Sequence, residues 1–108
     1  MDDSNRYRIL KLIHDHPELS QRDLAKRLGI SLGKTNYCLK ALIKVGVVKV
    51  KNFRNSKNKS AYLYILTPQG LEEKARVAKR FLAYKLAEFE AIQDEIEELQ
   101  KEVGGMGQ

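Results

Sequence analysis

From Ser31 to Val45 the sequence S-L-G-K-T-N-Y-C-L-K-A-L-I-K-V splits by helical phase into two kinds of surface. Thr35, Cys38, Leu39, Leu42 and Ile43 recur three and four apart and form an inward face. Gly33, Lys34, Asn36, Tyr37, Lys40, Ala41 and Lys44 are left outside. That outer set holds amines, one amide and one phenol, with no acid–base or nucleophile pair. Its chemistry is hydrogen-bond donation to a polyanion. Lysines neutralise phosphates, and an amide such as Asn36 can pair bidentately with adenine in a major groove. Ser31 is placed to cap this helix and to touch a phosphate beside it.

Other chemistries lack parts. Leu32-Gly33-Lys34-Thr35 ends like a phosphate-binding loop, but that loop needs glycine where Leu28 stands, and Gly29 is one residue too close. A strand should also precede it, and here a helical pattern does. Cys38 has the phase of the inner face, where a lone thiol is an inert small hydrophobe rather than a redox sensor. His14 and His16 stand two apart at a helix end, which is not a helical metal-ligand spacing, and no further Cys or His supports them. With no catalytic triad, carboxylate pair or glycine-rich cofactor loop, neither an enzyme nor a cofactor is expected.

Charge points the same way. The 108 residues carry a net charge of +6, but from Ser20 to Ser60 there are eleven Lys or Arg against the single acid Asp23. From Glu88 onward seven acids face one base, Lys101. One end is cationic and the other anionic, as expected of a chain that meets a polyanion at one end only. Hydrophobic content of 43% and charged content of 31% fit one soluble folded domain, and no apolar run is long enough for a membrane span. The polar N-terminus is unlike a secretory signal, and one cysteine fits the cytoplasm.

The elements that must position the outer face are well punctuated. A first helix is expected from about Ser4 to His16, with Ile9, Leu10, Leu12 and Ile13 inward, ended by Pro17. Ser20 and Asp23 give a second helix a capping-box start, with Leu19 and Leu24 as its hydrophobic staple and Gly29 as its left-handed stop. Ser31 starts the third helix and Gly46 stops it. The period then changes to two. V-V-K-V-K-N-F and A-Y-L-Y-I-L read as strands joined by R-N-S-K-N-K-S, a basic loop holding Arg54, Asn55, Lys57 and Lys59. At least one of Tyr62 and Tyr64 is expected in the core. Thr67-Pro68 opens a last helix, with Leu66 and Leu71 as a second staple.

That helix is expected to run to about Val103. Leu71, Ala78, Ile92 and Leu99 share one heptad position; Ala75, Leu82, Phe89, Ile96 and Val103 share the other, with Lys85 the interruption. A sustained seven-residue repeat calls for a partner helix, and the best candidate is a second copy of the chain. Glu88, Glu95 and Glu102 at g positions meet no acid at e in a parallel pair, which favours a parallel homodimer. Residues 104–108 are expected to be a disordered tail.

The order of these elements, carried by R-I-L-K-L-I, L-S-Q-R-D-L-A-K-R-L-G-I-S, L-K-A-L-I-K-V-G-V-V and L-T-P-Q-G, resembles the MarR family of winged-helix transcriptional regulators. The stretch N-F-R-N-S-K-N-K-S-A-Y-L-Y-I-L-T-P-Q-G-L-E-E-K-A is similar to small MarR-like regulators associated with exopolysaccharide gene clusters. The resemblance implies a homodimer that places Ser31–Lys40 in successive major grooves and Arg54–Lys59 along the minor groove or backbone. This chain departs from the family pattern in lacking a helix before the winged domain and in having one helix after the wing. No small-molecule effector is therefore expected. Asn36-Tyr37 stands where many relatives carry Ser-Arg, so base preference does not transfer.

The expected fold is mainly α with a small β-hairpin: a winged helix-turn-helix over residues 4–67, followed by a dimerisation helix over 68–103. The expected partner is double-stranded DNA, read by Gly33, Lys34, Asn36, Tyr37 and Lys40. Arg22, Ser31, Lys44, Arg54, Asn55, Lys57 and Lys59 are expected to hold the backbone or flank the groove. A protein-interaction module docking on transcription machinery is the alternative, and RNA binding is a third. Exposed lysines and amides favour nucleic acid over a docking surface, which would show apolar residues there.

Overall fold

The local signals translate directly into helix boundaries in the computed structural model, which describes residues 2–54 and 60–105. Helix α1 spans Asp3–Asp15, one residue earlier at each end than its sequence suggests. The reason is Asp2, whose carboxylate accepts from Asn5 N at 2.8 Å and caps the helix. Helix α2 spans Gln21–Leu28 with the full capping box, Ser20 and Asp23 each accepting from the other's backbone N–H. Gly29 ends it at φ +71°, a left-handed conformation that costs other residues roughly 1–2 kcal/mol. Helix α3 spans Leu32–Lys44, capped by Ser31, and Gly46 leaves it at φ +83°.

Strands β1 (Val48–Arg54) and β2 (Ser60–Leu66) pair antiparallel from Val48 opposite Leu66 out to Arg54 opposite Ser60. The base of this hairpin is in the core. Val48 is 2% exposed, whereas Val50, two residues on along the same face, is 42% exposed. Tyr64 N donates to the Pro17 carbonyl at 3.2 Å, tying β2 to the α1–α2 connection. The core lies where the three helices and the hairpin base meet, around Ile9, Leu10, Ile13, Leu24, Leu39, Leu42, Val48 and Leu66.

Helix α4 runs from Pro68 to Gly105 without a break, about 57 Å at 1.5 Å per residue. Its first turns are part of the winged unit rather than an appendage beginning at residue 68. Val77 is completely buried, Tyr7 meets Phe81 at 5.8 Å between ring centroids, and Gly70 lies against the Val47 carbonyl. Polar contacts lock the same face. Glu73, itself buried, receives Arg6 at 2.9 Å and Arg76 at 3.0 Å, and Asp3 receives both Nε and Nη2 of Arg80. The hydrogen bonds to Asp3 raise the Arg80 pKa above its ordinary value. The Lys11 ammonium, hydrogen-bonded to Asp15, likewise lowers that carboxyl.

This packing stripe, Gly70, Glu73, Val77 and Phe81, is not the heptad seam. Leu71, Leu82, Phe89, Ile92, Ile96, Leu99 and Val103 are exposed in the single chain, as is Ala75, and Ala78 is half-buried. Lys85, the seam's interruption, turns its ammonium toward the α1 side, 5.3 Å from the Phe81 centroid and 3.2 Å from Glu88. Of the expected disordered tail, Gly104 and Gly105 instead form the last residues of α4, continuing its hydrogen-bonded turns. Residues 106–108 lie outside the described residues. Among the described residues, no helix is long and apolar enough to cross a membrane.

Candidate nucleic-acid interface

The interface is built on α2, the Gly29–Ser31 turn and α3. Ser31 Oγ accepts from Lys34 N at 3.0 Å, and Thr35 turns its hydroxyl back to the Ser31 carbonyl at 2.9 Å. Thr35 is thus buried with its donor satisfied, and the phase of α3 is fixed by Thr35, Cys38, Leu39 and Leu42 facing the core. Ile43, a candidate for the same face, lies at its edge and is 37% exposed. Cys38 is buried. Among the described residues no three His, Cys, Asp or Glu side chains cluster as a metal site would require.

At about 100° per residue, the line opposite the core passes through Gly33, Tyr37, Lys40 and Lys44. All four are exposed. Tyr37 is the most prominent, with 75% of its surface open between lysines. Gly33 leaves bare backbone in the first turn, since a Cβ there would meet nothing within 4 Å. Lys34 and Asn36 sit on opposite shoulders of this line, roughly 160° apart around the helix. Lys34 faces the α1 side, where with Arg6, Tyr37, Cys38 and Val45 it borders a groove of about 470 Å³.

Asn36 is not a free amide. Its Nδ2 donates to Gln21 Oε1 at 2.9 Å, and Gln21 Nε2 donates to the Tyr64 hydroxyl at 3.0 Å. Gln21 is the residue that sequence reasoning passed over: it reads as an ordinary first-turn helix residue, and only the fold brings it to Asn36 and Tyr64. The tyrosines divide as alternation along β2 requires, Tyr64 at 8% exposure and Tyr62 at 60%. Arg22 is exposed on α2, and Lys49 and Lys51 are exposed on β1. Arg54 ends β1. Asn55, Lys57 and Lys59 lie outside the described residues.

A family model described as "Winged helix-turn-helix DNA-binding" matches residues 2–49. Among solved structures, a multiple antibiotic-resistance repressor (MarR) from Listeria monocytogenes is 27% identical over 90% of this chain and 66% of its own, with a TM-score of 0.57. The chain has a winged helix-turn-helix fold and is similar to MarR-type regulators. A PadR-like transcriptional regulator from Bacillus cereus superposes more closely, with a TM-score of 0.72 at 18% identity, covering 82% of this chain and 90% of that one. MarR from Staphylococcus aureus, solved in complex with salicylate and kanamycin, is 26% identical over 76% of this chain and 53% of its own, at a TM-score of 0.57. No curated protein matches the sequence. In the winged helix-turn-helix fold, α2 and α3 are the helix-turn-helix, α3 stands in the position of the recognition helix and β1–β2 is the wing.

Proposed function

We propose that this chain is a transcriptional regulator that binds double-stranded DNA sequence-specifically as a homodimer. The observation that carries the reading is the exposed line of α3, Gly33, Tyr37, Lys40 and Lys44, which is basic, uninterrupted by acid and set on a winged helix-turn-helix. That line enters the major groove, with Lys34 on one shoulder and Asn36 on the other. Ser31 and the open first-turn N–H groups of α3 take a phosphate. Arg22 and Lys44 neutralise neighbouring phosphates, and Arg54, Asn55, Lys57 and Lys59 run along the backbone or minor groove. Dimerisation uses the exposed seam of α4: Leu71, Ala75, Ala78, Leu82, Phe89, Ile92, Ile96 and Leu99. The acidic stretch after Glu88 is then held away from the duplex.

Selection of bound sequences from a random duplex pool tests this. The expected product is a palindrome whose half-sites are centred about 10–10.5 base pairs, or a multiple of that, apart. Enrichment of no sequence would overturn specific recognition, and enrichment of single half-sites alone would overturn the dimer.

A further inference from the structure

The chain of contacts from Tyr64 through Gln21 to Asn36 joins the wing, the first turn of α2 and the recognition helix. Tyr64 is buried and both amides are part-buried. A primary amide has a donor end and an acceptor end, so committing one end inward dictates which is left outward. Gln21 presents its carbonyl oxygen to α3, and Asn36 answers with its NH₂ group. Among the described residues no other group engages Asn36 Oδ1. The amide therefore carries an acceptor at the shoulder of the exposed line.

An outward acceptor discriminates among bases. In the major groove it suits the exocyclic amine of adenine or cytosine and opposes the oxygen of guanine or thymine. Reversing both amides would turn the Asn36 NH₂ outward and reverse the preference. We infer that Gln21 is a specificity-positioning residue: by accepting from Asn36 it fixes which end of that amide meets the base, and so selects an amino-bearing base at that position. Gln21 itself touches no base. Tyr64 completes the arrangement by accepting from the other end of Gln21, which makes the sense of Asn36 dependent on how the wing is seated against α2.

The inference rests on the DNA reading proposed above, and its test separates the two. Duplexes selected by the unaltered protein are re-selected with Asn36→Ala, which marks the base pair that Asn36 reads. At that pair the ratio of binding to adenine or cytosine over guanine or thymine is then measured for the unaltered protein, Gln21→Leu, Gln21→Glu and Tyr64→Phe. Using a ratio cancels any uniform change in affinity, and thermal melting of each variant confirms folding. Glu can only accept, so Gln21→Glu retains the preference within about twofold. Gln21→Leu, which lets the amide turn, lowers it about fivefold to tenfold, with Tyr64→Phe between the two. An unchanged ratio in Gln21→Leu, a preference for guanine or thymine in the unaltered protein, or no position sensitive to Asn36→Ala overturns the inference and leaves the DNA reading standing. Failure of the unaltered protein to enrich any sequence overturns both.

Discussion

Tyr37 stands almost free of its own protein, in the middle of a lysine-lined helix face. A large aromatic in that position adds little to folding, because it covers little of the core. Its ring can instead pack on thymine methyls and sugars. Tyr37→Ala should therefore leave the melting temperature nearly unchanged and weaken binding to the selected site by about 1–2 kcal/mol, with less effect on random duplex. Lys44→Ala should behave differently. Losing one phosphate contact in each half-site weakens all sequences alike. If the dimer neutralises about eight phosphates, log affinity falls with log salt at a slope near −7, and Lys44→Ala flattens it by about 2. Anisotropy titrations on both duplexes at several salt concentrations give both quantities; a slope near zero for the unaltered protein removes the electrostatic basis of the reading. The phase of α3 was legible in its sequence, since apolar spacing alone separates Leu39 from Lys40. The state of Asn36 was not, because it depends on Gln21 and on Tyr64, which only the fold brings beside it.

Punctuation residues at the element scale make single, local statements, and those were the readable ones. Ser20 with Asp23, Gly29, Ser31, Gly46 and Thr67-Pro68 mark the helix boundaries because each acts on its own few backbone groups. Gly70 is of another kind. It looks like a weak spot in the first turn of α4, yet a side chain there would press into the backbone carbonyl of Val47 and the Leu66 side chain. Gly70→Ala should cost about 2–4 kcal/mol, since backbone cannot step aside as a side-chain tip can. Gly29→Ala, with open space around it but a left-handed backbone, should cost about 1–2 kcal/mol. Denaturant midpoints of the two variants test the order; equal costs would mean that α4 shifts freely on the hairpin. The α1-facing stripe of α4 escaped sequence reading for a related reason. Gly70 and Glu73 are half of it, and neither counts as hydrophobic, so the eye follows the stronger heptad pattern on another side of the helix.

Across the whole molecule, charge and shape run along the same axis. The chain measures 74 × 26 × 24 Å, with the basic winged unit at one end and the acidic half of α4 extending from it. The exposed seam residues along that extension support the paired-helix reading, because a lone helix with such a row would present a long apolar strip to water. Ile92→Asp, in the middle of the seam and far from the winged unit, should leave the fold intact while shifting the protein to monomer and weakening palindrome binding at least about tenfold. Sedimentation and binding together check this, and a dimer that survives the substitution would place the interface elsewhere. Val103→Cys should cross-link readily between copies if the helices are parallel. Sequence periodicity made the seam visible in advance. It did not reveal that the same helix, through Val77, Glu73 and Phe81, is also a wall of the DNA-binding unit.

That shared helix has a mechanical consequence. With no hinge between the turns clamped to α1 and the turns that would pair with a second copy, the two reading heads of the proposed dimer are carried like the jaws of a locked caliper. Such an instrument forgives an imperfect base under one jaw more readily than a change of gauge. One base pair inserted between half-sites turns them about a tenth of a revolution out of step. A rigid frame can follow that only by bending the duplex or releasing a jaw.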